Sequence, residues 1–278
     1  MRFLLVVLLC SAAAAQQARW RGSPILDRIL EQAIAEDQIP GAVLVVSQEG
    51  RILHRKAYGS RALAPAREPM TVDTIFDCAS LTKVVATTSA VMLLVEEGKV
   101  RLNDRVTAYL KEFSGGDSPI TVRQLLTHFS GLRPDVDLKP AWSGYQTGIK
   151  LAFAEKPTAP PGSTFIYSDI NFVLLGALVE RASGKSLAEF TRQRVFAPLK
   201  MRRTMFNPPA TLRRAIAPTE RVEGTILRGV VHDPTARYMG GVAGHAGLFS
   251  TADDLGRFAA MILNGGRLDG ARIFSPLT

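Results

Sequence analysis

The sequence is poor in cysteine and histidine, and it lacks the short motifs of several common enzyme classes. Two cysteines and four histidines occur among its 278 residues. His-Glu-x-x-His, Cys-x-x-Cys, a Walker loop and Gly-x-Gly-x-x-Gly are all absent, so we predict no metal and no cofactor. Gly-x-Ser-x-Gly is absent as well, which argues against an ordinary α/β-hydrolase. Any enzymatic chemistry must therefore rest on other residues.

Long apolar runs are also absent, except at the N-terminus. Residues 1–15 have the form of a secretory signal peptide, in which Arg2 is the basic end, an apolar run follows, and residues 13–15 are a small-residue cleavage site. Lipoprotein anchoring through Cys10 is the alternative, which the bulky Leu9 disfavours. We predict an exported chain, periplasmic or secreted, with no integral membrane segment after cleavage.

We expect neither disulfide bonds in this chain nor a nucleic-acid partner. Only Cys78 would remain after signal cleavage, so there is no disulfide framework. The formal net charge of +9 is carried by scattered arginines rather than by one block. This distribution predicts a solvated basic surface and no nucleic-acid partner, and it leaves the oligomeric state open.

The pattern from residue 20 onward predicts one large domain in which helices dominate. Ser23-Pro24 caps a first helix. Two β-rich runs flank Gln48-Glu49-Gly50 and indicate a hairpin, the one part of a sheet that is evident. Apolar periodicity and capping residues predict further helices over 80–98, 122–128, 172–182, 186–195 and 251–263. Residues 206–243 are predicted to be rich in loops.

Ser80 and Lys83 form the most informative pair in the sequence. They open the apolar helix over 80–98, and their i, i+3 spacing places both side chains on one helix face. The first-turn amides and the positive end of the helix macrodipole favour an oxyanion at that end. A buried amine nearby can take the hydroxyl proton. The pair is typical of a serine nucleophile that works without histidine, although Ser-x-x-Lys alone arises about once by chance in such a chain.

A second element is Tyr167-Ser168-Asp169, which follows a Pro-Pro-Gly turn at a loop-to-helix junction. A tyrosine beside a lysine loses its proton more readily, because the ammonium favours the phenolate. Tyr167 could then relay the serine proton to a leaving group. A half-buried packing tyrosine is the alternative interpretation.

Four segments resemble, in the right order, signature blocks of the serine β-lactamase and penicillin-binding protein superfamily. They are 76–83 (FDCASLTK), 120–132 (ITVRQLLTHFSGL), 167–169 (YSD) and 240–255 (GGVAGHAGLFSTADDL). The branch that they resemble is that of the class C β-lactamase-related hydrolases, which includes esterases and D-amino-acid peptidases. The resemblance extends over residues 25–278.

The resemblance implies an α/β fold of the β-lactamase/transpeptidase type, in which an antiparallel sheet lobe packs against a mostly helical lobe with Ser80 at the junction. It implies that Ser80 is the nucleophile, Lys83 its activator and Tyr167 the acid/base of the second motif. Either Lys83 or Tyr167 takes the serine proton, and the Ser80 backbone N–H is one oxyanion donor. The implied reaction is hydrolysis of an ester, an amide or a β-lactam through an acyl-enzyme, on a small-molecule or peptidoglycan-like substrate.

The first departure from this pattern is Asp169, which stands where the second motif usually has asparagine. A carboxylate beside Lys83 would favour the ammonium form and hinder the lysine as a base. Our hypothesis is that Asp169 turns toward the N-terminus of its own helix instead, where a carboxylate is stabilised.

The second departure concerns the third motif, Lys-Thr-Gly or His-x-Gly on an inner strand. His245-Ala246-Gly247 does not fit this role, because it lies in a Gly-rich loop before a capped helix and no β-run is evident after it. We therefore expect the hydrolase domain over 20–278 to be incomplete at its C-terminus. His128 and Ser130 are expected to be structural. The alternative function is a non-catalytic penicillin-binding-like binding or scaffold protein that retains the fold without efficient turnover.

Overall fold

The structure, a computed structural model, describes residues 20–114 and 119–278. The predicted signal peptide and Cys10 lie outside the described residues. Within the described ranges, no helix is both long enough and apolar enough to cross a membrane. These ranges form a mixed architecture of helices and antiparallel strands around one main hydrophobic core.

A helix and a long β-hairpin form the N-terminal part. Helix α1 spans Ser23–Ala35. Strand β1 spans Gly41–Gln48 and pairs antiparallel with β2, Arg51–Ala62, as the sequence predicts. Strand β3, Glu68–Pro69, pairs with the other edge of β2. The β1–β2 pairing extends over the whole of β1, with a register shift between Val46 and Ser47.

The remaining described strands are short and lie between helices. They are β4 (Phe76–Asp77), β5 (Met205–Phe206), β6 (Arg221–Val222), β7 (Thr225–Ile226), β8 (Leu248–Ser250), β9 (Arg267–Leu268) and β10 (Ala271–Arg272). Strand β8 is central in a three-stranded sheet of order β4-β8-β5. This small sheet holds the chain segment that leads into Ser80.

Helices are the main regular structure of the rest of the described chain. Beyond α1 they are α2 (Ser89–Glu96), α3 (Val122–Leu126), α4 (Tyr145–Ala154), α5 (Asp169–Ser183), α6 (Leu187–Thr191), α7 (Pro234–Tyr238) and α8 (Ala252–Leu263). The capping box between Thr121 and Gln124 is present at α3, and Thr251 caps α8, as predicted. Every residue from 170 to 179 in α5 is buried, so this helix runs through the centre of the core.

The helix after Ser80 is irregular. A π-helical turn over Lys83–Thr88 continues into α2, and Gly98 follows its end with φ of +70°, as the sequence predicts. A π-helical turn widens the helix locally and is frequent at functional sites. The activating lysine candidate therefore lies in the least regular part of this helix.

Two local predictions were wrong. Ser23 does not cap α1, since the N-cap is Gly22, and the Ser23 hydroxyl is buried against the His54 ring at 3.0 Å. A β-run does follow His245, because β8 begins three residues later and pairs with both β4 and β5. Three residues are too few to show the alternation by which a strand is recognised in a sequence.

Candidate active site

Ser80 lies exposed at the start of the helix, after a tightly constrained turn. Ala79 has φ of +44°, a left-handed conformation that is strained for a residue with a Cβ. Its N–H donates to Asp77 Oδ1 at 2.9 Å, and the Cys78 N–H donates to Leu248 O in β8 at 2.8 Å. In the part of the chain that the structure describes, the Ser80 N–H has no acceptor. This amide can therefore bind an oxyanion at a helix N-terminus.

Lys83 is buried one turn further on, and its amine contacts three oxygen atoms. Its Nζ lies 2.9 Å from Ser80 Oγ and 3.1 Å from the backbone oxygen of His245. The same atom lies 2.6 Å from Asp169 Oδ1, and the Lys83 side chain is only 4% exposed. Since an ammonium has three N–H donors, each donor has an oxygen here. The structure thus joins Ser80 and Lys83 as the sequence predicts.

The hypothesis that Asp169 turns toward its own helix N-terminus is wrong. Asp169 is the first residue of α5, but its carboxylate forms an ion pair with Lys83. Apart from that contact, Oδ1 has no hydrogen-bond partner among the described residues. A buried ammonium without a counter-charge costs several kcal/mol, whereas a carboxylate at a helix N-terminus gains about 0.3–1 kcal/mol. The ion pair with Lys83 therefore determines the orientation of the Asp169 carboxylate.

The ring of Tyr167, and not its hydroxyl, contacts Lys83. The ring centroid is 4.9 Å from Lys83 Nζ, and the side chain is about half exposed. The ring also stacks on His128, with centroids 4.5 Å apart. Within residues 20–114 and 119–278, the Tyr167 hydroxyl has no hydrogen bond to Ser80 or Lys83. Of these two candidate bases, Lys83 is the one within hydrogen-bonding reach of Ser80 Oγ.

His128 and Ser130 belong to the support beneath this tyrosine. His128 Nδ1 accepts the Ser168 N–H at 3.1 Å, so this nitrogen carries no proton. Burial lowers the pKa of His128, and the charge of Lys83 lowers it further. Ser130 Oγ donates to Asn171 Oδ1 in α5 at 2.6 Å. Both contacts agree with the structural role expected for this segment.

Residues 244–248, which we call the strap, lie along the helix that carries Lys83. Hydrogen bonds join the backbone of the strap to three side chains of this helix, those of Thr82, Lys83 and Thr87. The strap also packs directly against α5. A Cβ at Gly244 would lie 1.8 Å from the backbone oxygen of Phe172. Only glycine fits at this position.

Behind Lys83 lies a buried polar cluster that the sequence analysis missed. His245 Nε2 lies 2.8 Å from Asp233 Oδ1, and Thr235 Oγ1 donates to Asp135 Oδ2 at 2.7 Å. Burial raises the pKa of Asp135. Burial, the largest single effect, would also raise the pKa of Asp233. The hydrogen bond and charge of His245, the Ala236 N–H and the charge of Lys83 together outweigh it and leave the pKa below its ordinary value. The one local signal was the position of Asp233 before Pro234, which is typical of a helix N-cap.

Ligand atoms of Asp169, Asp233 and His245 lie within 4.8 Å of one another, a spacing that a cation could bridge. The Lys83 ammonium already lies against Asp169 and supplies positive charge at this place. A metal ion would have to displace it, so these residues fit an internal ion pair better than a metal centre.

Cys78 is not a second nucleophile. It is buried against the turn before Ser80, and burial, with a smaller contribution from Asp77, raises its pKa to about 12. The thiolate is the reactive form of cysteine, and it is not populated at neutral pH with such a pKa.

Comparison with known proteins places this geometry in a family. The family model Beta-lactamase matches residues 26–278. The N-acetylmuramyl-L-alanine amidase of Bacillus subtilis is 35% identical over 91% of this chain and 65% of its own length. The chain thus spans a little under two thirds of that relative.

Solved structures agree on the fold. The octameric penicillin-binding protein homologue from Pyrococcus abyssi is 27% identical with a TM-score of 0.75, over 92% of this chain and 58% of that one. EstCE1, a hydrolase with promiscuous acyltransferase activity, is 24% identical with a TM-score of 0.75, over 92% and 74%. The predicted β-lactamase/transpeptidase-like α/β fold is therefore confirmed. On the match of its sequence and its fold, the chain belongs to the Beta-lactamase family.

Proposed function

We propose that this chain is a serine hydrolase that cleaves an amide bond in a peptidoglycan-like substrate through a Ser80 acyl-enzyme. The observation that carries the proposal is the 2.9 Å contact between Lys83 Nζ and Ser80 Oγ. It joins an exposed hydroxyl to a buried amine at a helix N-terminus. This is the arrangement that acyl transfer requires of a nucleophile and its activating base.

The first step is the activation of Ser80 by Lys83. As an ammonium, Lys83 has to give up a proton before it can accept one, and the Asp169 carboxylate at 2.6 Å is the acceptor in contact. The neutral amine then takes the hydroxyl proton as Ser80 Oγ attacks the carbonyl carbon. The oxyanion that forms is stabilised by the Ser80 N–H and by the positive end of the helix macrodipole.

The second step is the departure of the leaving amine. When the C–N bond breaks, the nitrogen needs a proton, which Lys83 now carries. We assign the relay to Tyr167, whose half-exposed ring lies 4.9 Å from Lys83 Nζ: its hydroxyl would pass on the proton once bound substrate brings the leaving nitrogen within reach. A water molecule then attacks the acyl carbon, gives up its proton by the same route, and Ser80 is released as the hydroxyl.

The proposed substrate is the amide between N-acetylmuramic acid and L-alanine. The name of the Bacillus subtilis relative, an N-acetylmuramyl-L-alanine amidase, supports this choice. Fragments of peptidoglycan that carry free carboxylates are attracted by a surface with a net charge of +9. An exported protein, as residues 1–15 predict, would meet this substrate outside the cytoplasm.

The test is a comparison of kcat/KM for N-acetylmuramyl-L-alanine, a chromogenic ester, a chromogenic cephalosporin and a D-alanyl-D-alanine peptide. We expect the highest value for the muramyl amide. That activity should disappear in Ser80→Ala and persist in Ser114→Ala, which removes another exposed hydroxyl. Preference for the cephalosporin or the D-alanyl peptide would overturn the proposed substrate, and equal activity of Ser80→Ala would overturn the mechanism.

A non-catalytic binding protein is the second candidate, and the Lys83–Asp169 ion pair favours it. A lysine held as an ammonium by a carboxylate in contact with it activates Ser80 poorly. This candidate predicts that calorimetry detects a muropeptide with the same affinity in wild type and in Ser80→Ala. It also predicts that no bond is cleaved.

A further inference from the structure

His245 and Asp233 have no part in the steps above, yet they lie directly behind Lys83. The His245 side chain is wholly buried, and its Nε2 lies 2.8 Å from Asp233 Oδ1. The backbone oxygen of the same histidine accepts a hydrogen bond from Lys83 Nζ at 3.1 Å. A single residue thus connects the half-buried Asp233 carboxylate to the lysine that contacts the nucleophile.

Asp233 is itself held in place. It is the N-cap of α7, and its Oδ1 also accepts the Ala236 N–H at 2.7 Å. Burial tends to raise the pKa of Asp233, but the bond from His245 and the charge of Lys83 lower it, so the group is a carboxylate at neutral pH. A carboxylate with two N–H donors on one oxygen fixes the orientation of the imidazole ring.

Charged and titratable groups reach this place from several elements. They are Lys83 on its helix, His128 after α3, Asp135 in the loop before α4, Tyr167 and Asp169 at the start of α5, and Asp233 and His245 around α7 and the strap. Oxygen atoms of Asp169 and Asp233 and a nitrogen of His245 lie within 4.8 Å of one another. Asp169, Asp233 and His245 thus form one cluster beside the Lys83 amine.

We propose that Asp233 and His245 are positioning residues for Lys83. Asp233 fixes the His245 ring, the ring fixes the strap, and the strap carbonyl holds the lysine amine 2.9 Å from Ser80 Oγ. This inference rests on the proposed function, because its effect is read at Ser80.

The experiment measures how fast a fluorophosphonate probe labels Ser80, from acidic to alkaline pH. We expect His245→Ala to label about 10- to 100-fold more slowly than wild type, since the amine is no longer held. His245→Gln should keep most of the rate, because its amide can donate to Asp233 in place of the ring. Asp233→Asn should also label more slowly than wild type, because a neutral amide holds the His245 ring less firmly than the carboxylate does.

Asp254→Asn is the matched control. Asp254 is a buried carboxylate in the first turn of α8, and it accepts bonds from the Arg203 N–H at 2.7 Å and from Thr204 Oγ1 at 2.9 Å. We expect this variant to lower Tm and to leave the labelling profile unchanged. If Asp233→Asn and both His245 variants also lower only Tm, their role is structural and the inference is overturned. If wild type itself is not labelled at Ser80, the proposed function fails first and the inference falls with it.

Discussion

Replacing Asp169 by asparagine removes the counter-charge of Lys83 and leaves the shape of the site almost unchanged. Lys83 Nζ lies 2.6 Å from Asp169 Oδ1, and the two side chains are 4% and 20% exposed. Asparagine is also the residue that the second motif of related hydrolases usually carries. We expect the variant to fold and to label Ser80 faster than wild type at neutral pH.

The magnitude follows from the geometry of the ion pair. With an effective dielectric constant of about 20, Coulomb attraction at this separation is about 6 kcal/mol, and desolvation of the two charges offsets much of it. What remains for an opposite charge in contact is about 1.4 to 4 kcal/mol in favour of the ion pair. Removing the carboxylate should therefore raise the labelling rate at pH 7 by about 10- to 1000-fold.

The assay is the second-order rate constant for fluorophosphonate labelling as a function of pH, with Tm recorded for each variant. Asp137→Asn is the control, because that carboxylate is 74% exposed and pairs with Arg133 instead of Lys83. Its profile should match that of wild type. An unchanged or lower labelling rate in Asp169→Asn would refute the reasoning, since the ion pair would then not limit the activation of Ser80.

Three further predictions concern other parts of the site and the fold. Tyr167→Phe keeps the ring on His128 but should lower kcat for an amide by about 10²- to 10⁴-fold, while probe labelling, which needs no leaving-amine proton, changes little. Gly244→Ala should lower the free energy of unfolding in urea by more than about 3 kcal/mol, because the new Cβ would lie 1.8 Å from a carbonyl oxygen of α5. Its control is Gly256→Ala, where the nearest atom lies 3.8 Å away and the substitution should be neutral or stabilising. Glu68→Gln should lower Tm by about 2–4 °C at pH 7. Hydrogen bonds from Arg228 hold the pKa of Glu68 at about 2 instead of 4.5, so this difference should shrink as the pH falls from 4.5 and vanish near 2.

The local signals in the sequence predicted most of the helices and the hairpin. Capping residues and apolar spacing are short-range properties, and they located α3, α5 and α8 as well as the helix after Ser80. The contact between Ser80 and Lys83 was predictable for the same reason, because a spacing of three residues in a helix determines which side chains meet.

The surroundings of Lys83 were not predictable in this way. Asp169 was expected to interact with its own helix, since a carboxylate at a helix N-terminus is a local rule, but a buried ammonium from another element competes more strongly. The contact between Asp233 and His245 forms only when the strap packs against the helix that carries Lys83. No short-range sequence pattern predicts such a contact. Strand β8 was not predicted, because its three residues form a strand only by pairing with β4 and β5 on either side.

The central claim is that Ser80 becomes acylated, and rapid acid quench followed by peptide mass spectrometry tests it most directly. The chain is mixed with N-acetylmuramyl-L-alanine, quenched during turnover and digested. The account predicts a muramyl adduct on the peptide that contains Ser80, absent in Ser80→Ala and at lower occupancy in Lys83→Ala. Turnover without any adduct, or an adduct on another residue, would contradict it.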